Sequence, residues 1–347
     1  MSTPEPSSIL KSLLVHVAEG KTLSETESEA AFEAIMSGEA TPVQLGAFLM
    51  GLRVRGESVE EITGAARIMR AKALTIEAPA DAIDTCGTGG DASGTFNIST
   101  AAAVIVAACG VPVAKHGNRA LTSRSGSADV LKALGVNIDA DHALMTQSLR
   151  EAGICFMMAP RHHGAMKHVM PARMELGLRT IFNLLGPLSN PAGTRRQVVG
   201  VFSSRWVEPL AQVLGRLGAE RAWVVHGSDG LDEITTTGPT EVAEVRGGTV
   251  TRFTVTPQAA GLALARPEDL KGGDAIDNAA AMRALLDGAP GPFRDIALMN
   301  AAAALVVAGR VADLREGVIQ AAAVVDSGAA RTTLARFVAI TNRGPAA

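Results

Sequence analysis

Glycines and hydroxyl side chains are concentrated between residues 84 and 127 of this 347-residue chain. The run GTGGD at residues 87–91 follows a short apolar segment, and NIST follows at residues 97–100. Glycines let backbone N–H groups approach an anion closely, and the hydroxyls and free N–H groups of a helix start also bind phosphate. A hydroxyl there can ligate a phosphate-bound Mg²⁺. We therefore predict that this stretch holds a phosphorylated small molecule together with Mg²⁺.

Two further segments could take part in the same chemistry. The loop KHGNR at residues 115–119, continued by TSRSGS at residues 122–127, is basic and rich in hydroxyls. Charge-assisted hydrogen bonds from such cations are worth about 1.5–3 kcal/mol each. The adjacent carboxylates Asp232 and Glu233 follow another predicted strand and a glycine turn. Such a pair is ordinary on a surface, but its position after a buried strand favours an Mg²⁺ site.

Two fragments resemble nucleotide-binding motifs, but the sequence around them does not fit those motifs. Residues 87–92 fit the GxGxxA dinucleotide fingerprint, but no helix follows at once and the next strand ends in Lys115 rather than an acidic residue. Residues 20–22 spell the GKT of a P-loop, but they lie between predicted helices and Val15 stands where the first glycine belongs. Neither NAD binding nor a P-loop is predicted.

The elements that position these residues change character near residue 74. Before it, apolar spacing predicts a bundle of short helices, with capping boxes at Thr41 and Ser58. After a linker at residues 74–81, β-rich runs alternate with helical ones, which predicts an α/β domain with a mostly parallel sheet. Ligands of such sheets bind at the carboxyl ends of the strands, where the candidate segments lie. The predicted strands cover residues 83–86, 111–115, 154–158, 197–202 and 222–226.

Composition limits the classes of partner. A formal net charge of −3 does not favour a general polyanion binder. The three cysteines, Cys86, Cys109 and Cys155, have no metal-site spacing and suggest buried thiols in a reducing compartment. The longest apolar run, residues 101–109, is shorter than the roughly 20 residues that span a bilayer. We expect a cytoplasmic protein with no membrane partner.

The motifs, taken in order, resemble those of the anthranilate phosphoribosyltransferase family. The resemblance extends from about residue 10 to about residue 340 and depends on an ordered set rather than on any single motif. The motifs are GTGGD (87–91), NIST (97–100), KHGNR (115–119), SGSAD (125–129), MKHV (166–169), ELG (175–177), RTIFNLLGP (179–187) and GLDE (230–233).

The resemblance implies transfer of 5-phosphoribosyl from phosphoribosyl pyrophosphate (PRPP) to the amino group of anthranilate, with release of pyrophosphate, in tryptophan biosynthesis. It implies an α/β protein of the nucleoside phosphorylase/phosphoribosyltransferase type that works as a homodimer. We expect a helical domain over residues 1–74, joined in space by a helical segment near residues 171–188, and an α/β domain over residues 75–347. The active site is expected between the two domains.

The resemblance also implies site residues. Ser99, Asp232 and Glu233 are expected to bind two Mg²⁺ ions. Lys115, Arg119 and Glu233 are the expected catalytic residues, because the departing pyrophosphate carries negative charge that must be stabilised. The residues expected to bind anthranilate are Gly87, Asn118 and Arg173. Those expected to bind PRPP are Gly87, Gly90, Asp91, Thr95, Asn97, Ile98, Ser99, Thr100, Lys115, His116, Gly117, Asn118, Arg119, Ala120, Leu121, Thr122, Ser123 and Ser127.

Two alternative functions use the same fold class. A nucleoside phosphorylase would bind phosphate and a nucleoside, but the GTGGD and NIST spelling and Arg173 argue against it. A nucleic-acid-binding protein could use a basic stripe made of Arg161, Lys167, Arg173 and Arg179. The chain has no tyrosine and only 3% aromatic residues, whereas stacking platforms for bases need aromatic side chains. No nucleic-acid partner is therefore expected.

Overall fold

The computed structural model describes residues 6–91, 93–119 and 124–343. Within these ranges the strands of one sheet are β1 (Ile83–Gly87), β2 (Val113–Gly117), β3 (Ile154–Met158), β4 (Arg196–Gly200), β5 (Arg221–Gly227), β6 (Thr240–Arg246) and β7 (Thr249–Val255). The α-helices are α1 (Pro6–Ala18), α2 (Glu25–Met36), α3 (Pro42–Arg55), α4 (Val59–Ala71), α5 (Ile98–Ala108), α6 (Ser127–Ala133), α7 (His142–Glu151), α8 (Ala159–His162), α9 (Met170–Leu176), α10 (Phe182–Leu188), α11 (Val207–Arg216), α12 (Ala275–Leu286), α13 (Pro292–Val307), α14 (Leu314–Asp326) and α15 (Ala329–Thr341). Short 3₁₀ helices cover Gly164–His168, Ser204–Trp206 and Pro267–Leu270. None of the helices in the described ranges is both long and apolar enough to cross a membrane.

The N-terminal helices begin at strong local signals. The capping boxes predicted at Thr41 and Ser58 are present, and a third one at Ser24 opens α2. The Glu61 carboxylate, which completes the box of α4, is fully buried and also accepts a hydrogen bond from the Leu23 N–H at 2.8 Å. Glu61, which helps to cap α4, therefore also holds the segment that leads into α2.

The sheet has the strand order β3-β2-β1-β4-β5-β6-β7, in which the first five strands are parallel and the last two antiparallel. The predicted mostly parallel sheet is thus confirmed. The second predicted strand starts too early, because Pro112 has no N–H to donate to a ladder and β2 begins after it. No strand beyond β5 was predicted, although alternating residues around Gly247 and Gly248 are typical of a hairpin.

Helices cover both faces of the sheet. On one face α5 and α13 belong to the largest buried cluster, with α14 and α15 packed outside them. On the other face α11 packs in a second cluster that includes helices α1 to α4 and also Val169, Ile181 and Phe182. Arg70, at the end of α4, donates hydrogen bonds to the Leu188 carbonyl at 2.6 Å and to the Leu217 carbonyl at 3.2 Å. The segment around α9 and α10 therefore packs with the N-terminal helices as well as with the sheet.

The ladder between β1 and β2 is unusually short. These strands pair in register at Ile83 and Val113, whereas β1 with β4, β2 with β3 and β4 with β5 each pair over five residues. The carboxyl halves of β1 and β2 are therefore held together by something other than a backbone ladder.

Side chains replace the missing ladder. Asp84, fully buried on β1, accepts a hydrogen bond from the His116 N–H at 3.2 Å. Its other carboxylate oxygen accepts from Asn190 Nδ2 at 2.7 Å, and the same amide donates to the Ala114 carbonyl at 2.9 Å. Asn190 follows α10, so the loop before β4 fills the gap between β1 and β2. The loops that follow these two strands can then take separate courses.

Replacing Asn190 should test this filling role. Asn190→Ala leaves the buried Asp84 carboxylate and the Ala114 carbonyl short of a donor, and we expect it to lower the free energy of unfolding by about 3 kcal/mol. The matched control is Asn342→Ala, since Asn342 Nδ2 also donates two backbone hydrogen bonds but is exposed. That variant should lose about 0.5 kcal/mol or less in urea unfolding. Equal losses in the two variants would contradict the interpretation.

Candidate active site

The acidic pair in the loop after β5 lies against both glycine- and hydroxyl-rich segments. Asp232 Oδ2 accepts a hydrogen bond from the Gly89 N–H at 2.7 Å. Glu233 Oε1 accepts one from the Ser99 N–H, in the first turn of α5, at 3.1 Å. The structure therefore brings together three predicted segments, GTGGD, NIST and the acidic pair, although well over a hundred residues separate the last from the others.

The close packing of the acidic pair on the sheet requires glycine at the ends of two strands. A Cβ at Gly87, which ends β1, would overlap the Asp232 carboxylate. A Cβ at Gly200, which ends β4, would overlap the Asp232 carbonyl oxygen. The Gly200 carbonyl in turn accepts a hydrogen bond from the Thr88 N–H at 2.8 Å. Gly200 was not among the predicted site residues, and its only signal in the sequence is a glycine at the end of a β-rich run.

Lys115 supplies a buried positive charge beside the acidic pair. It lies on β2 with only 2% of its surface exposed, and its ammonium group donates to the Thr85 carbonyl and to Ser99 Oγ, the latter at 3.3 Å. It therefore reaches from β2 across the end of β1 to the start of α5. Its charge favours the ionised form of Glu233.

When both carboxylates are ionised, they carry more negative charge than Lys115 balances. Burial, followed by repulsion from Asp91, raises the pKa of Asp232. Burial, followed by repulsion from Asp232, raises the pKa of Glu233. A divalent cation would relieve both effects, and carboxylate and hydroxyl oxygens are suitable Mg²⁺ ligands. In the part of the chain that the structure describes, no three His, Cys, Asp or Glu side chains form a metal cage on their own.

The backbone of the first loop has the shape expected of an anion site. Gly89 and Gly90 have φ angles of 65° and 75°, which side chains with a Cβ rarely adopt. The Asp91 carboxylate accepts a hydrogen bond from the Ser93 N–H at 3.1 Å, which turns the chain toward α5. Asn97 precedes α5 without capping it through its side chain. The first turn of α5 is thus presented toward the acidic pair and the glycine loop.

The Asn97 side chain instead links two loops. Its Nδ2 donates to the Ser125 carbonyl at 3.2 Å, and its Oδ1 accepts from Asn278 Nδ2, in α12, at 3.0 Å. Asn278 Oδ1 also accepts from the Gly273 N–H at 2.8 Å. The segment before α12 was not among the predicted site segments, although a Gly-Gly pair before a helix start was a visible signal. The Asn97 amide therefore joins the two predicted PRPP loops, and Asn278 holds that amide from α12.

Other predicted residues lie at or below the surface of this site. Ile98 and Thr100 are buried, so their side chains belong to the core under α5. Thr95 Oγ1 lies 3.3 Å from Ser93 Oγ. The ring of His116 is buried against that of His163, with 5.1 Å between ring centroids, and burial lowers the pKa of His116 to about 3. His116 is therefore neutral at pH 7.

The second loop is described in part. Gly117 ends β2, and Asn118 and Arg119 follow it in exposed positions. Ser127 Oγ donates to the Asn118 carbonyl at 3.2 Å, which closes the loop at its base. The remaining predicted residues of this loop, Ala120, Leu121, Thr122 and Ser123, lie outside the described residues.

Of two arginines in the segment around α9, Arg179 contacts this site and Arg173 contacts a ring of its own segment. Arg173 is half-buried in α9 with its guanidinium carbon 5.6 Å from the centroid of the Phe182 ring, and burial lowers its pKa. None of the carboxylates in the described ranges forms an ion pair with it. Arg179 stacks on Phe202 at 4.5 Å and donates a hydrogen bond to the Gly90 carbonyl. The sequence places Arg179 in the RTIFNLLGP motif and predicts no contact with the glycine loop.

Comparison with known proteins gives consistent relatives over nearly the full chain. Residues 11–73 match the family model described as "Glycosyl transferase family, helical bundle domain", and residues 79–331 match "Glycosyl transferase family, a/b domain". The chain is 67% identical to the anthranilate phosphoribosyltransferase of Paramagnetospirillum magneticum, over 99% of each chain.

Solved structures agree with this relationship. The crystal structure of anthranilate phosphoribosyltransferase from Thermus thermophilus superposes with a TM-score of 0.90 at 44% identity, covering 95% of this chain and 99% of that one. The enzyme of the same name from Saccharomyces cerevisiae, in complex with PRPP and Mg, superposes with a TM-score of 0.88 at 27% identity, covering 96% of this chain and 98% of that one.

The contact at Gly200 yields a steric prediction. Gly200→Ala should displace the backbone at Asp232 and reduce activity by about a hundredfold, because an ångström of misplacement is enough for such a loss. The matched control is Gly46→Ala in α3, where a Cβ meets nothing within 4 Å. It should leave the rate unchanged and stabilise the helix by about 0.5–1 kcal/mol. Steady-state rates and thermal unfolding of both variants test this, and full activity of Gly200→Ala would refute it.

Proposed function

This chain belongs to the anthranilate phosphoribosyltransferase family, and we propose that the site at the ends of β1, β2, β4 and β5 carries out that family's reaction. The relatives confirm the resemblance predicted from the motifs. The reaction transfers 5-phosphoribosyl from PRPP to the amino group of anthranilate and releases pyrophosphate. The observation that carries the assignment is the placement of Glu233 against the first turn of α5 and of Asp232 against the glycine loop.

PRPP is proposed to bind across the two loops that follow β1 and β2. The positive-φ glycines of the first loop and the N-terminus of α5 are features that bind phosphate groups in other proteins. Lys115 is buried beside Ser99, and Arg119 is exposed just after β2. These two cations would stabilise the negative charge of the departing pyrophosphate.

Mg²⁺ is proposed to bind through Ser99, Asp232 and Glu233. The fit rests on the crowded carboxylates, whose pKa values are raised by burial and mutual repulsion, and on the hydroxyl of Ser99 beside them. Two ions per site are proposed, one shared by Ser99 and Glu233 and one by Asp232 and Glu233. The bound metal would supply positive charge for the pyrophosphate oxygens.

Anthranilate is proposed to bind with its carboxylate on Arg173. A half-buried guanidinium that forms no ion pair with any carboxylate in the described ranges is a suitable partner for such an anion. The planar fork of Arg173 can bind both oxygens and so orient the amino group toward the ribose carbon. The amino nitrogen of an aromatic amine is neutral at pH 7, so orientation rather than a strong base is the main requirement for attack.

The domain division and assembly are also proposed. Residues 1–74, joined by the segment near residues 171–188, would form one domain and residues 75–347 the other, supported by the shared buried cluster of helices α1 to α4 with Val169 and Ile181. A homodimer is proposed from the family resemblance, with the first helices, on which Val15 and Val43 are 54% and 81% exposed, as candidates for its interface. A cytoplasmic location is supported by the free cysteines.

Pyrophosphate release tests the function. The purified chain should release pyrophosphate from PRPP only with both anthranilate and Mg²⁺ present.

Glu233→Gln should lower kcat by about a hundredfold, because the site loses a carboxylate ligand. The melting temperature of this variant should stay the same or rise. Because the pKa of Glu233 is raised in the folded protein, its ionised form destabilises the fold at pH values above the ordinary glutamate pKa, and glutamine has no such charge.

The matched control for Glu233→Gln is Glu241→Gln, which changes an exposed carboxylate on β6 and should leave kcat unchanged. Absence of anthranilate-dependent release by the wild type would refute the function. A large fall in the melting temperature of Glu233→Gln would instead show a structural role for that carboxylate.

Arg173→Ala tests the acceptor site. Loss of a charge-assisted contact should raise the KM for anthranilate by about tenfold or more and leave the KM for PRPP within about twofold. Arg205→Ala is the matched control, because Arg205 also stacks on a ring, that of Trp206 at 4.8 Å, but lies outside the site. An unchanged KM for anthranilate in Arg173→Ala would remove this residue from the acceptor pocket.

A further inference from the structure

Asn300 is a buried amide in the middle of the apolar helix α13. Only 3% of its surface is exposed, and the helix around it consists of alanine, leucine, methionine and valine. A buried amide destabilises the fold unless its polar groups find partners. Apolar packing alone therefore does not explain an asparagine at position 300, and the hydrogen-bond partners of its amide must be considered.

The partners of Asn300 lie in the loop that carries the acidic pair. Asn300 Oδ1 accepts a hydrogen bond from the Ile234 N–H at 3.0 Å, and Asn300 Nδ2 donates to the Ile234 carbonyl at 2.8 Å. The Nδ2 group also donates to the Ile296 carbonyl of its own helix at 2.9 Å. One side chain thus holds both main-chain polar groups of Ile234 and is itself held by α13.

The geometry of this contact bears directly on Glu233. The N–H that Asn300 binds belongs to the peptide between Glu233 and Ile234, so the contact fixes the orientation of that peptide plane. Asn300 and Glu233 also line the same small internal cavity, together with Thr85 and Ser99. Asn300 therefore borders the same cavity as the residue whose carboxylate faces the Ser99 N–H, and it holds the peptide that follows that residue.

Apart from the Asp232 contact with the glycine loop, several residues of this loop pair with one another. Asp229 accepts hydrogen bonds from the hydroxyls of Thr235 and Thr237, each at 2.6 Å, and Thr240 Oγ1 accepts from the Thr235 N–H at 3.0 Å. These contacts shape the loop but tie it only to itself and to β6. Asn300 adds a tether to a rigid helix packed against the sheet.

We propose that Asn300 is a positioning residue, which holds the Glu233 carboxylate in the orientation required for Mg²⁺. This inference rests on the proposed function. Groups behind a metal ligand commonly set its orientation, and their loss weakens metal binding or activity by about 10–100-fold. Asn300 acts through Glu233 and touches neither substrate nor metal.

Asn300→Asp is the sharpest test, because it keeps the shape but replaces the donor by an oxygen that faces the carbonyls of Ile234 and Ile296. The half-saturating Mg²⁺ concentration should rise about tenfold or more, with the KM for anthranilate within about twofold. Mn²⁺ binding in the presence of PRPP, followed by electron paramagnetic resonance without turnover, should weaken by a similar factor. Unchanged Mn²⁺ and Mg²⁺ dependence would overturn the proposal.

A double-mutant cycle separates positioning from a general structural effect. In the Glu233→Gln background, Asn300→Asp should cause almost no further loss of kcat, because the group that it positions is already gone. Additive losses would overturn the proposal. Ser148→Ala is the control, since it removes a buried hydrogen bond to the Ile154 carbonyl far from the acidic loop. It should lower stability without moving the Mg²⁺ dependence.

A second variant and a separate readout cover the cases in which Asn300→Asp does not fold or the proposed function fails. If Asn300→Asp does not fold, Asn300→Ser is used, since serine is smaller and keeps one hydroxyl. The same weakening of Mn²⁺ binding is expected for it. Failure of the proposed function is recognised separately, as a wild-type chain that releases no pyrophosphate with anthranilate. An active wild type whose folded Asn300 variants bind Mn²⁺ normally would refute the role of Asn300 alone.

Discussion

The contact between Asp232 and the glycines at the ends of β1 and β4 determines how the site is assembled. Because Gly87 and Gly200 have no Cβ, the loop after β5 can lie directly on the two strand ends. Asp232 then reaches the Gly89 N–H and Glu233 reaches the first turn of α5. The contact is made where crossovers depart in opposite directions along the sheet, the place where α/β sheets commonly bind ligands.

That close approach has an electrostatic consequence. It brings Asp91, Asp232 and Glu233 so near to each other that burial and repulsion raise the pKa values of the last two. Lys115 offsets part of the charge from the β2 side and is itself directed there by Thr85 and Ser99. An additional positive charge would therefore stabilise the ionised carboxylates, which agrees with the proposed Mg²⁺ site.

A second set of contacts joins the regions proposed to bind the two substrates. Arg179 connects the segment that carries Arg173 to the Gly90 carbonyl, and the Asn97 amide connects the two loops proposed for PRPP. Asn190, from the end of the same segment, fills the gap between β1 and β2. A displacement of this segment would thus reach both loops, which gives a physical basis for coupling between donor and acceptor sites.

Local signals in the sequence were enough to predict the N-terminal helices, the mostly parallel sheet and three segments that the structure brings together in the candidate site. The capping boxes at Thr41 and Ser58 need only residues three apart, and the motifs after β1, β2 and β5 are short runs at strand ends. The hairpin β6–β7 has an equally local signal in its two glycines, but the prediction missed it. The start of β2 after Pro112 also has a local signal and was also missed. Gly200, Asn190 and Asn300 are different, because each acts through a partner far away in the chain. A glycine or asparagine in an apolar run shows that something must approach or pair with it, but only the packing of the folded chain decides which group does.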